Sequence, residues 1–288
     1  DMAVIETGMG GRYDATNLVK PLAGAMTTVS LDHQEFLGDS KTQILAEKMQ
    51  IVKPNMDFWS GIRDIDLMNQ LRNHCDLVGA SFFSLDDYFL DVKENEFIFD
   101  HHTYETSLLG EHQKRNTALS VGLCQSLNKK GYKISDENIR QGIMKTKWPA
   151  RLERFDYRPP VLIDGAHNPE GIAALTVYLK QKGIKAPLVY GCLNNRSLLE
   201  LIQPLLSCVK DKLYLVSFSH EKSYKASQLI NFASEIEDKG ILKVEVLNLN
   251  EGSWHNLMRG LPDGELVVVT GSLYMTAQVR QYLVGGEK

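Results

Sequence analysis

Short apolar runs recur along the chain, and between them apolar residues return every three or four positions. The runs "MAVIE", "GAMTTVS", "NMDFWSG", "PPVLIDG", "APLVYGCL", "KLYLVSF", "KVEVLNL" and "GELVVVTGSL" predict strands. The stretches "SKTQILAEKMQIVK", "RNTALSVGLCQSLNKKG", "GIAALTVYLKQKG", "SLLELIQPLLSCVKD" and "KASQLINFASEIEDKG" predict amphipathic helices. Three of these five close in Lys-Gly or Lys-Lys-Gly, where a cation meets the helix dipole and glycine supplies a left-handed cap. Strands alternating with helices are the layout of α/β domains built on largely parallel sheets.

Two segments break the alternation. In "GASFFSLDDYFLDVKENEFIFD", residues 79–100, aromatics alternate loosely with charges, which predicts a small antiparallel meander. "TKWPARLERFDYRPP", residues 146–160, carries three prolines and joins two regions that each have their own strands and helices. The expected division is therefore into domains 1–148 and 149–288. No internal repeat or low-complexity tract is evident.

Composition narrows the class without naming it. The 288 residues are 43% hydrophobic and 24% charged, as in a soluble globular protein, with a formal net charge of -4. No global basicity marks a nucleic-acid or membrane-surface binder, so neither partner is expected. The four cysteines show no CxxC spacing, and a reducing, cytoplasmic setting is expected. No run has the length of a membrane span, and no signal-peptide layout stands at the start.

Candidate chemistry collects at the ends of predicted strands, where parallel α/β sheets place their ligands. Glu6 closes "MAVIE" and is either a ligand for a metal or phosphate group or a cap on the glycine turn that follows. Asp32 and His33 follow the second run, as a site or as a satisfied turn. Lys48 lies on the next helix, where a lysine is ordinarily a solvated cation. Asp164 and His167 follow "VLI" in "VLIDGAHNPEG", while Asn168 and Pro169 read as an ordinary helix start. Arg151 lies on the joining segment, as a surface residue or as a contact for an anion between the domains. "GMGGR" lacks the lysine and hydroxyl of GxxxxGK[ST] and is not GxGxxG.

The set and order of motifs goes further than any one of them. "IETGMGGRYDATN", "LDHQEFLGDS", "AEKMQIVKP", "GEHQKRN", "WPARLE" and "DGAHNPEG" together resemble the folylpolyglutamate synthases, including the bifunctional dihydrofolate synthase forms, a family related to the Mur ligases. The resemblance spans essentially the whole chain and is strongest in residues 1–53 and 111–171. It implies the remainder of a Mur-ligase-type P-loop ATPase domain followed by a Rossmann-like α/β domain that ligates glutamate. Family members carry a GTNGKGS-type phosphate loop about a hundred residues ahead of the Glu-x-Gly-x-Gly-Gly-Arg stretch. The chain is thus expected to be a synthase lacking that loop and inactive by itself.

The resemblance also implies a reaction and its residues. A folate carboxylate takes the γ-phosphoryl group of ATP, and the amine of L-glutamate attacks the acyl phosphate. Glu6 and His33 match Mg²⁺ ligands, although a nitrogen ligand is unusual for Mg²⁺. Lys48 matches a lysine that is carbamylated in many relatives and then helps to hold metal, a modification that needs the neutral amine. Asn116, Arg151 and Asp164 match ATP contacts, with Arg151 near the phosphates. His167 matches a residue of catalysis or glutamate binding, and Asp14 and Ser272 are further candidates. The implied cofactors are ATP and Mg²⁺, the implied substrates folate and L-glutamate, and the implied state a monomer.

The sequence departs from the family pattern in places. "YGCLNNRS" stands where relatives have Gly-x-x-x-Asp-Lys-Asp, Tyr13 replaces a leucine, and Met49-Gln50 replaces Ala-Gly. Two other readings stay open. One is a Mur-type ligase on another carboxylate, against which "DGAHNPEG" stands in place of "DYAHNP". The other is a non-catalytic module that binds nucleotide or folate.

Overall fold

The computed structural model describes residues 2–238 and 243–285. The chain divides into two units, Asp1–Lys147 and Trp148–Lys288.

The first unit opens on an extended loop and then builds β1 (Ala23–Met26), α1 (Gln34–Leu37), α2 (Lys41–Lys48), β2 (Asp57–Ser60), α3 (Ile65–Val78) and β3 (Ser81–Ser84). β1, β2 and β3 form a parallel sheet in that order. A meander of β4 (Phe89–Lys93), β5 (Glu96–Phe99) and β6 (His102–Glu105) follows, and α4 (Glu111–Lys129) and α5 (Asp136–Lys145) complete the unit. The helices start where the sequence supplies caps. The Ser40 hydroxyl accepts from the Gln43 N–H, and Asp64 accepts from Asp66 and Leu67. α3 ends on Gly79 in the left-handed region, φ 80°.

Three expectations change here. "MAVIE" forms no strand, and Val4 is 100% exposed. An apolar pentapeptide becomes a strand only with a ladder partner, and among the described residues β1 pairs with β2 alone. Ser81–Ser84 belongs to the parallel sheet rather than the meander, because α3 returns the chain beside β2. The meander is accordingly displaced to residues 89–105. Its second turn uses Asp100 and His101 at φ 48° and 66°, a left-handed pair made without the glycine that usually signals it.

The second unit builds β7 (Glu153–Phe155), β8 (Val161–Ile163), α6 (Pro169–Gln181), β9 (Ala186–Tyr190), α7 (Leu198–Ile202), β10 (Val209–Ser217), α8 (Ala226–Glu237), β11 (Lys243–Asn248), α9 (Glu251–Arg259), β12 (Val267–Thr270) and α10 (Leu273–Gly285). Its sheet runs β11-β10-β9-β12-β8-β7, parallel except for β7. β8, β9 and β12 are buried at every position, which is why they read as unbroken apolar runs. Val161, Val189, Val269, Met275 and Trp254 meet in the core. Pro204 cuts the predicted "SLLELIQPLLSCVKD" helix short, leaving α7 and a 3-10 segment, Gln203–Cys208.

Candidate functional site

In the first unit the glycine-rich loop is held by one carboxylate. Asp14 Oδ2 accepts from the N–H groups of Gly8 (3.0 Å) and Met9 (2.9 Å), and Oδ1 accepts from the Thr16 N–H (2.9 Å) and hydroxyl (2.6 Å). These bonds, led by the Thr16 hydroxyl, hold its pKa down to about 2. Asp14 fastens the loop and caps the turn Ala15–Leu18.

The fastened loop rests on the end of α2. A side chain at Gly11 would stand 2.7 Å from the Glu47 carbonyl and 2.8 Å from that of Lys48. Only glycine allows that approach. The Arg12 N–H donates to the Glu47 carbonyl at 3.1 Å, and its guanidinium meets the Glu47 carboxylate at 3.1 Å. Between the loop and helices α1 and α2 lies a cavity of about 750 Å³, lined by Met9, Tyr13, Asp14, Phe36, Gln43 and Glu47 among others. That volume is in the range of small-molecule sites.

Lys48 closes α2 and is half-buried. Glu6 is exposed, and so is His33, whose backbone lies in the left-handed region at φ 54° with Asp32 Oδ1 on its N–H at 2.9 Å. Among the described residues, no group of three His, Cys, Asp or Glu side chains could hold a metal ion. Any ion at Glu6 and His33 would therefore depend on oxygens from another source. Asn116 lies in the first turns of α4, half-buried, 3.4 Å from Gln113 Oε1. That helix starts at Gly110 without a side-chain cap.

In the second unit, sequence order and physical role part company. Asp164 follows β8 at the carboxyl edge of the sheet, yet it is 5% exposed. Its Oδ2 accepts from the Leu152 N–H at 3.0 Å and its Oδ1 from the Ala166 N–H at 2.9 Å. The Gly165 N–H donates to the Ala150 carbonyl at 2.8 Å. Ala150 and Leu152 both lie in the left-handed region, φ 55° and 48°, which costs free energy for residues with side chains. Asp164 and Gly165 thus fix a strained turn whose middle residue is Arg151. Arg151 is half-buried and makes no hydrogen bond or ion pair among the described residues. Both oxygens of the buried Asp164 carboxylate are thus engaged by backbone N–H groups, one of them in the turn.

Burial raises the Asp164 pKa, against the lowering by the two N–H groups and Arg151. A carboxyl whose folded pKa lies above its unfolded value favours folding while protonated. Its contribution therefore falls as pH rises from the ordinary carboxylate range through the folded pKa. Asp164→Asn should flatten this fall in a pH series of urea titrations. It should also cost about 1–3 kcal/mol at neutral pH, because the amide NH₂ replaces an acceptor that a buried N–H needs.

His167 Nδ1 lies 2.8 Å from the Gly165 carbonyl. A carbonyl only accepts, so Nδ1 carries the proton, and in the neutral ring Nε2 has the lone pair. Ser272 is 2% exposed, and its Oγ accepts from the Tyr274 N–H at 3.2 Å as the cap of α10. The residues that sequence reading passed over are those that shape these backbones. Gly165 abuts Leu273, and Gly271, at φ 114°, would place a side chain 2.6 Å from the Gly191 carbonyl. Their signal was present as a glycine within two residues of a strand's end, although spacing alone does not reveal the contact.

Comparison with known proteins matches this architecture. Residues 152–282 match the family model described as dihydrofolate synthetase, C-terminal domain. The chain is 32% identical over 302 residues to the dihydrofolate synthase/folylpolyglutamate synthase of Bacillus subtilis, covering 98% of this chain and 67% of that protein. It is 30% identical to the folylpolyglutamate synthase of Lacticaseibacillus casei, over all of this chain and 68% of that protein. The solved apo form of L. casei FPGS superposes with a TM-score of 0.78 at 26% identity, over 98% of this chain and 66% of that one. An FPGS–AMPPCP complex superposes equally well, with a TM-score of 0.78 at 26% identity and the same coverage of 98% and 66%. The chain spans about two thirds of the length of these relatives. It belongs to the dihydrofolate synthase/folylpolyglutamate synthase family.

Proposed function

We propose that the chain is the larger part of an ATP-dependent amide ligase that adds L-glutamate to a folate through an acyl phosphate. The observation that carries this reading is the strained, doubly anchored turn holding Arg151. Two left-handed residues and a buried carboxylate maintain a half-buried guanidinium that makes no salt bridge within hydrogen-bond reach among the described residues, while its charge acts on Asp164. Such an arrangement suits an anion brought by substrate. Arg151 then neutralises charge that develops as the γ-phosphoryl group moves to the folate carboxylate. Asp164 keeps Arg151 in place, and His167, which follows it in the same strand-end loop, is proposed to serve catalysis or glutamate binding. The amine then attacks the acyl carbon and phosphate leaves.

In the first unit, Glu6 is the carboxylate proposed to hold Mg²⁺, with His33 and a carbamylated Lys48 as supporting ligands. The donor set fits an ion that keeps several waters and takes phosphate oxygens from its nucleotide, since such an ion needs one or two carboxylates rather than a closed protein cage. Bound there, Mg²⁺ would supply charge neutralisation to the phosphates. Asn116 is proposed as a nucleotide contact. Among the described residues no helix is long and apolar enough to cross a membrane. A monomer working in the reducing cytoplasm fits four free thiols, three of them buried.

The test is a hybrid in which these 288 residues replace the matching segment of the L. casei enzyme. ATP- and L-glutamate-dependent lengthening of tetrahydrofolate, read by mass, is the expected result. Arg151→Ala in that hybrid should lower kcat about a hundredfold. A folded hybrid that binds ATP but lengthens neither tetrahydrofolate nor any other carboxylate would favour the non-catalytic reading. Lengthening of a muramyl peptide instead would favour the Mur-type one.

A further inference from the structure

The last carbonyls of a helix have no partner within it. α2 and the 3-10 turn Met49–Ile51 that continues it solve this with groups from outside. The Arg12 N–H takes the Glu47 carbonyl, and Lys53 Nζ donates to the Gln50 carbonyl at 3.1 Å. Lys53 Nζ also donates to Asn17 Oδ1 at 2.7 Å, and Asn17 Nδ2 donates to the Arg12 carbonyl at 3.0 Å. The circuit closes: loop to helix through Arg12, helix to ammonium through Gln50, ammonium back to loop through Asn17. Inside it lies Gly11, where an added side chain would stand 2.7 Å from the Glu47 carbonyl and 2.8 Å from that of Lys48. Gly11 and Glu47 border the cavity of about 750 Å³, for which the loop forms one wall and α2 another.

We infer that Lys53 is a positioning residue: shared between Asn17 and the Gln50 carbonyl, its ammonium sets the spacing between the Gly8–Leu18 loop and the end of α2, and so the setting of Lys48. Lys53 lies five residues beyond Lys48 and outside the residues that border the cavity, so it acts through others. A cation is suited to this position because it offers three donors, answers the negative end of the helix and bonds a neutral amide without needing a counter-ion. The consequence for chemistry rests on the reading of Lys48 as a metal-supporting carbamate, whereas the positioning itself does not.

The experiment separates the two. Lys48 and the exposed Lys41 on the same helix are labelled with an amine-acylating reagent in the 288-residue chain, and the ratio of their labelling rates is read by peptide mass. Lys53→Met should raise the Lys48:Lys41 ratio about threefold to tenfold, the loss of one or two hydrogen bonds. Lys53→Arg should restore the wild-type ratio. Asn17→Ala, which removes the bridge from the loop side, should act like Lys53→Met and serves if that variant does not fold. An unchanged ratio in folded Lys53→Met or Asn17→Ala, or a Lys53→Arg variant as altered as Lys53→Met, overturns the inference. A carbon-13 bicarbonate spectrum of the wild-type chain tests the carbamate separately. Its absence would remove the proposed role of Lys48 and leave the positioning result standing.

Discussion

Trp59→Ala should destabilise the first unit by about 3–5 kcal/mol, read as a lowered midpoint in urea titration followed by circular dichroism. Trp59 is 1% exposed in the middle of the parallel sheet. Its ring stacks on Phe83 at 4.8 Å and meets Tyr88 at 5.1 Å and Phe99 at 5.5 Å. Its indole N–H donates to Ser126 Oγ on α4 at 2.9 Å, and α4 approaches closely because Gly122 faces the ring. One side chain thus joins sheet, meander and the helix that carries Asn116. Truncation leaves a cavity among rigid neighbours and an orphaned serine hydroxyl, so collapse recovers little. A loss under about 1 kcal/mol would mean that the aromatic cluster does not hold this unit together.

Gly271→Ala should cost the second unit about 3–5 kcal/mol, from backbone strain and a backbone clash added together. Its φ of 114° lies where residues with side chains are strained. The new methyl would also stand 2.6 Å from the Gly191 carbonyl and 2.9 Å from Tyr190 Cε2. The carbonyl cannot turn aside, because Gly191 follows the central strand β9 and its N–H is tied to the Thr270 carbonyl. The displacement would pass to Ser272 and the α10 cap on one side and to the 191–197 loop on the other. Calorimetric melting of the variant beside wild type gives the test, and an unshifted melt would show that this junction relaxes freely.

Much of the fold was legible because it follows from local chemistry. The β8, β9 and β12 runs are apolar at every position since both faces are covered, and the helix starts at Ser40 and Asn168 follow from side chains that accept a backbone N–H. α3 is not among the predicted helices, although Leu67, Leu71 and Cys75 recur at helical spacing. "MAVIE" was legible as an apolar run but not as a coil, since strand formation depends on a neighbour that no local pattern reports.

For the candidate site, the sequence determined which residue types stand at the ends of strands and, through its ordered motifs, the family to which the chain belongs. It did not determine what those residues do. Asp14 and Asp164 are both carboxylates beside glycine, and both turn out to fasten backbone: one ties the glycine loop, the other ties the turn of Arg151. Lys53, to which the sequence assigns no role, closes a helix end. The tertiary structure decided these roles because a polar side chain acts on whatever donor or acceptor folding brings within about 3 Å of it. Those partners come from loops whose approach depends on the whole packing of the unit, which spacing along the chain does not encode.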